Sequence, residues 1–198
     1  MVIDNSSSDK TIPSLIIDNF NAVSDAVDYL YQLGHKRIGF ITGLEDSDVG
    51  KNRHAGYTNG LTKHGLKPDD KLIFKGNFTF ESGLEGADYF LSLKNPPTAI
   101  LCANDSMAIA VVGKLIQEGL NVPDDISIVG FDDIPFVSHI HPPLTTIAAP
   151  IQKIADLAVN MLVTQIQNNE IDNKHVALPA KLVKRSTCSE LKKATAAA

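Results

Sequence analysis

The sequence predicts an α/β protein built on a doubly wound parallel sheet, and three observations carry that prediction. Short apolar runs starting near Leu15, Ile38, Leu72, Ala99 and Ile126 alternate with longer stretches of helical periodicity. Such alternation is the pattern of βαβ units with helices on both faces of a parallel sheet. The helical stretches end on Gly34, Gly65 and Gly119 or run into Pro96-Pro97, as helix stops should. Finally, residues 122–133, VPDDISIVGFDD, read as a turn, an interior strand and two carboxylates.

Taken in order, residues 1–3 are a scrap of apolar sequence before a polar loop at 4–11, resembling the end of something cut off. Leu15, Ile16 and Ile17 form a strand; Ala22, Val23, Ala26, Val27, Leu30 and Leu33 then recur at helical spacing over 21–33. A strand at 38–41, a polar loop at 42–50 and a helix at 52–64 follow. The plan repeats with a strand at 72–74, a loop at 76–80, a helix at 81–93 and a strand at 99–102. The next helix spans 105–118, with Asn104 or Asp105 as N-cap. After the 126–131 strand, residues 134–140 are less regular, and Pro142-Pro143 sets up a strand at 144–147. An amphipathic helix at 151–167 and strands at 175–178 and 181–184 need not join the same sheet, and the tail from Leu191 is expected to be disordered.

With 43% hydrophobic and 21% charged residues among 198, the chain has material for a core in one domain or two small lobes. Eighteen basic against 23 acidic residues give a net charge of −5, which excludes nucleic-acid binding by charge alone. Cys102 and Cys188 lie outside any Cys-x-x-Cys spacing, so reduced thiols in a cytoplasmic setting are expected, with no cofactor and no metal. His139 and His141 lack a third ligand at metal-binding spacing and read as a solvated turn. Neither a signal peptide nor a membrane span is expected.

In an open α/β sheet, ligands bind in the crevice beyond the carboxyl ends of the strands. There the sequence offers residues 42–49, Asn77-Phe78-Thr79, Asn104-Asp105 and Asp132-Asp133. Hydroxyls, amides, carboxylates and one aromatic ring suit a small polar ligand with a flat part. Arg53, at the start of the helix behind the 42–49 loop, can reach inward as a forked donor or pair with Asp46 or Asp48 at the surface. Arg37 and Arg185 have no comparable position, and His35, Lys36 and Arg37 read as an exposed edge. Asp132 is the first ligand candidate, against a turn cap; Phe78 is either a stacking platform or a lid on the core edge; Asp105 is first an N-cap. The phosphate-loop, dinucleotide, nucleophile-elbow and zinc-protease motifs do not occur, so an enzyme acting on sugars or nucleosides is the weaker alternative.

Residues 34–43 (GHKRIGFITG), Arg53 with Gly56-Tyr57, residues 76–83 (GNFTFESG), residues 96–108 (PPTAILCANDSMA), VPDDISIVGFDD and residues 141–147 (HPPLTTI) resemble the effector-binding region of LacI/GalR bacterial repressors. The resemblance runs from about residue 13 to 185, in the right motif order. It implies a two-lobed fold like that of periplasmic binding proteins, with residues 1–18 a remnant of the amino-terminal lobe. Residues 19–143 are then the carboxyl-terminal lobe, 144–187 a return segment, and 188–198 a disordered tail. It further implies a transcriptional repressor, not an enzyme. Operator DNA would be bound only through a helix-turn-helix headpiece that this chain does not include. Ligand contacts carry over to Arg53, Phe78 and Asp132, with Asn104, Asp105 and Ser47 nearby. Residues 77–81, Tyr29-Leu30-Tyr31 and the loop after Gly43, which lacks a basic residue, are closest to nucleoside-sensing members. The effector expected is therefore a nucleoside such as cytidine, while Ser47 and Val49 replace larger polar groups of purine-binding relatives. A periplasmic sugar receptor of the same fold is the other alternative.

Along 105–118, Met107, Ala108, Ile109, Val111, Val112, Leu115 and Ile116 cover an arc of about 200°, wider than one core requires. Either a neighbouring helix or residues 134–140 cover the excess, or a second copy does. The resemblance implies a homodimer with Ile109, Val112 and Ile140 in its interface.

Overall fold

The computed structural model describes residues 1–4, 11–168 and 175–192. Among the described residues nine strands are formed: β1 (Val2–Ile3), β2 (Ser14–Ile17), β3 (Ile38–Ile41), β4 (Ile73–Phe74), β5 (Ala99–Cys102), β6 (Ser127–Asp132), β7 (Thr145–Ala148), β8 (His175–Leu178) and β9 (Lys181–Val183). The same residues form five α-helices: α1 (Asn19–Gln32), α2 (Asp48–Lys63), α3 (Phe80–Ser92), α4 (Asp105–Gln117) and α5 (Ile151–Asn168).

The strands make two sheets. The larger runs β4-β3-β5-β6-β7-β9, parallel except for β9, and the smaller runs β1-β2-β8, all parallel. Every residue of β3 and β5 is buried, as expected of strands covered on both faces. Successive side chains point to opposite faces. Phe40 accordingly stacks on Tyr57 of α2, centroids 4.9 Å apart, while the neighbouring Gly39 lies beneath Phe90 of α3. Helix α1 packs on α2 and α3 on α4, giving the doubly wound arrangement. Helices α1 to α4 each begin on a side-chain cap: Asp18 accepts from the Asn21 N–H, Ser47 from Gly50, Thr79 from Ser82 and Asn104 from Met107.

Several expectations need correction. Helix α2 starts at Asp48, a turn earlier than 52, because the Ser47 hydroxyl caps it. His35 is no exposed edge: it is 2% exposed, with its ring bonded to the Thr98 hydroxyl and the Ser189 carbonyl. The 144–187 segment does not return as a unit. Strands β7 and β9 stay in the larger sheet, and only α5 and β8 pack with the smaller one. Of the expected tail at 188–198, residues 188–192 are fixed, Ser189 N–H bonding to Ser127 and Leu191 N–H to the Leu33 carbonyl; residues 193–198 lie outside the described residues. Part of the 4–11 loop, residues 5–10, also lies outside them. Helix α5 buries Ile154 and Ala158 but leaves Ile151, Val159, Leu162, Val163 and Ile166 exposed. Among the described residues no helix is long and apolar enough to cross a membrane.

Candidate functional site

Strand order reverses between β4-β3 and β5-β6-β7, so the crevice at the carboxyl ends of β3 and β5 is the topological switch point of the larger sheet. Arg53 reaches into it from α2. Its side chain is 4% exposed. Nε donates to Asn19 Oδ1 at 2.8 Å, Nη1 donates to the Ala103 carbonyl just past β5, and Nη2 lies 3.6 Å from Asp132 Oδ1 at the end of β6. Cζ sits 3.4 Å from the Phe131 ring centroid and 5.9 Å from that of Phe78. Burial pushes the guanidinium pKa down, and Asp132 opposes that shift. A charge so deep is tolerable only when paired and hydrogen-bonded, which these contacts provide.

Asp132 is arranged differently. Its side chain is 38% exposed, and 3.6 Å is longer than a hydrogen bond, so the carboxylate keeps oxygen lone pairs for a ligand. Burial raises its pKa to about 6, with Arg53 pulling the other way. Asp132 (φ 114°), Asp133 (φ 58°) and Phe78 (φ 68°) all adopt positive φ, a conformation costing on the order of 1–3 kcal/mol for a non-glycine residue. Strain of this kind, gathered at one end of a sheet, marks a site. The half-buried Phe78 ring lies across Gly43, where an added Cβ would come within 1.9 Å of Cζ. The ring thus lies beside Arg53 and also packs against the edge of the core.

The other sequence candidates sit near the site in different roles. Ser47 is spent as the α2 cap, its hydroxyl donating to the Leu44 carbonyl and accepting from Gly50. Asn104 Oδ1 accepts from Met107 and its Nδ2 donates to the Phe78 carbonyl. Asp105 has no exposed surface; it accepts from Ile134 N–H at 2.9 Å and from the Thr146 hydroxyl, and burial raises its pKa to about 6. It lies behind the site instead of facing a ligand. Val112 is 3% exposed and belongs to the chain's own core, because α4 packs on both β6 and α3. Ile109 and Ile140 are half-buried, whereas Ile116, Ile134 and Phe136 are exposed by 48%, 39% and 61%.

Three residues escaped sequence reasoning. Arg185 Nη2 lies 2.7 Å from Asp133 Oδ1 and braces the turn beside Asp132. Asn19, hidden inside a helix start, orients Arg53. Asp4, just after β1, lines a small cleft of about 40 Å³ with Ile16, Asn19, Asp48, Val49 and Asn52. Its buried Oδ1 has no hydrogen-bond partner among the described residues. No local pattern announces these residues, since each acts across elements distant in sequence.

The sequence profile of the periplasmic binding protein-like domain matches residues 27–188. The HTH-type transcriptional repressor CytR of Escherichia coli (strain K12) is 39% identical over 180 residues, covering 91% of this chain and 53% of that protein. The chain thus spans about half the length of the curated relatives it matches. A crystal structure of a LacI transcriptional regulator from Bacillus cereus subsp. cytotoxis superposes with a TM-score of 0.90 at 32% identity, over 96% of this chain and 68% of that one. A LacI family transcriptional regulator from Enterococcus faecium, solved with bound ribose, gives 0.90 at 26% identity, over 96% and 71%.

Proposed function

The chain belongs to the periplasmic binding protein-like domain family, in the form carried by LacI-type transcriptional regulators, and on that premise we propose that it is the effector-binding part of a cytoplasmic repressor sensing a nucleoside such as cytidine. The observation that carries the ligand class is the pairing of Arg53 and a partly exposed Asp132 with the Phe78 ring alongside. A pentose presents vicinal hydroxyls that a carboxylate and a guanidinium hold together, and an attached base presents a flat face to an aromatic platform. Among the described residues the site shows no nucleophile paired with a neighbouring base, which favours binding over catalysis. DNA recognition then falls to a part of the protein outside these 198 residues. Homodimerisation uses the surface of Ile116, Ile134 and Phe136, beside the half-buried Ile109 and Ile140.

A second reading is a free sugar, favoured by the ribose-bound relative from Enterococcus faecium. Calorimetry with cytidine and with ribose separates the two. A nucleoside sensor binds cytidine at least tenfold more tightly, and Asp132→Ala weakens both by about ten- to a hundredfold, the loss of a charged hydrogen bond. Unchanged affinity in that variant removes Asp132 from the site.

A further inference from the structure

Where the two sheets meet lies a second cleft, of about 390 Å³, none of whose lining residues belongs to the crevice around Arg53. Ala148, the last residue of β7, and Lys181, the first of β9, bring the larger sheet to it. Leu178, the last residue of β8, brings the smaller one, and Lys153 joins from the first turn of α5. The volume is that of a small-molecule site, for which about 300–1,000 Å³ is usual. Its floor is apolar and poor in donors: Pro150 and Pro179 carry no N–H, and the Ala149 N–H is taken by the Asp132 carbonyl. Charge in the cleft therefore comes from the two lysines. Both are exposed, and among the described residues neither forms a salt bridge; Asp156, one turn along α5 from Lys153, accepts from the Gln152 amide instead.

We propose that this cleft is a second ligand site, for a small apolar carboxylate whose body lies on Ala148, Leu178 and the two prolines while Lys153 and Lys181 hold its charge. One anionic group on an apolar body matches two ammonium groups beside a floor that can bury hydrocarbon but cannot hydrogen-bond it. Such an occupant touches both sheets at once, and it does so whichever effector the Arg53 crevice takes.

Three probes test the site on the free 198-residue protein: octanoate, its neutral amide octanamide, and inorganic phosphate, each titrated by calorimetry. Octanoate should bind saturably, one per chain, with the amide and phosphate weaker by about tenfold or more, the scale of one hydrogen bond to a charged group. Lys153→Met combined with Lys181→Met should weaken octanoate by about tenfold or more while leaving the melting curve in place, since both positions are exposed. In nitrogen-15 spectra, octanoate should shift the amides of Ala148 and Leu178 together and leave Gly43, beside Phe78, unmoved. No saturable binding, equal affinity for the amide or for phosphate, or undiminished affinity in a folded double variant overturns the site. Shifts at Gly43 without shifts at Ala148 and Leu178 also overturn it, because the acid would then lie in the effector crevice. The comparison of octanoate with octanamide needs no variant, and titrations with cytidine and ribose report on the other crevice alone.

Discussion

The guanidinium of Arg53 lies over the ring of Phe131, Cζ 3.4 Å from the centroid, in a position 4% exposed to solvent. One side chain thereby joins α2 to the ends of β5 and β6. Arg53→Lys keeps the charge but loses the planar fork, leaving Asn19 and the Ala103 carbonyl without their donor. Unfolding by urea should show a loss of about 2–4 kcal/mol, the cost of stranding buried polar groups. Cytidine affinity should fall at least tenfold. A variant as stable as the parent would mean that Arg53 is a bystander.

Phe78 should separate the two ligand classes. Phe78→Ala removes the platform without touching Arg53 or Asp132, so cytidine binding should drop about tenfold, in line with 1–3 kcal/mol for a base stacked on an aromatic ring. Ribose binding should change less than twofold. Equal losses for the two ligands would show that the ring serves the pocket's shape and not a base.

The larger sheet was legible because β3, β5 and β6 are continuous apolar runs, and buried parallel strands have that signature. Arg53, Phe78 and Asp132 were legible because they follow strands, where topology places ligands. What lay hidden was pairing across distance. Nothing local in Arg185 points to Asp133, 52 residues away, and nothing in His35 shows that Ser189 will close over it. Asn104 and Asp105 carried a double meaning: a capping residue and a ligand residue look alike in sequence, and only the partners decide.

Asp105 makes stability depend on pH in an uncommon direction. Its pKa rises from 3.8 to about 6 on folding, so the folded state binds the proton more tightly than the unfolded one. The stabilisation is present below about pH 4 and is lost as pH rises through about 6. Asp105→Asn does not titrate at this position. Urea unfolding at pH 4 and pH 7 should therefore show the parent losing on the order of 2–3 kcal/mol relative to the variant. A constant difference would contradict the shift. Asp132 is raised to the same range, so ligand hydroxyls that need its carboxylate should be held more weakly below about pH 6.

For self-association, the informative substitution is at Phe136, 61% exposed, and not at Val112. Phe136→Glu should convert a dimer to monomers in sedimentation while leaving the thermal midpoint within about 2 °C, as for a surface change. Val112→Glu should unfold the chain, because it buries an unpaired charge in the core. Leu162→Glu on the uncovered face of α5 serves as control; loss of association there alone would place the contact on α5.

Three short segments connect the sheets: the step from β2 into α1, residues 149–150 between β7 and α5, and residues 179–180 between β8 and β9. They are tied together, since Asp18 N–H bonds to the Leu178 carbonyl, and tied to the site, since Ala149 N–H bonds to the Asp132 carbonyl. Any change in the angle between the sheets must be absorbed by all three at once, two of them stiffened by Pro150 and Pro179. Substitutions there act on the resting ratio of angles and not on the groups that grip a ligand. They should shift the half-saturating concentration of every ligand by one common factor, retuning the threshold of the response while leaving its order of preference intact.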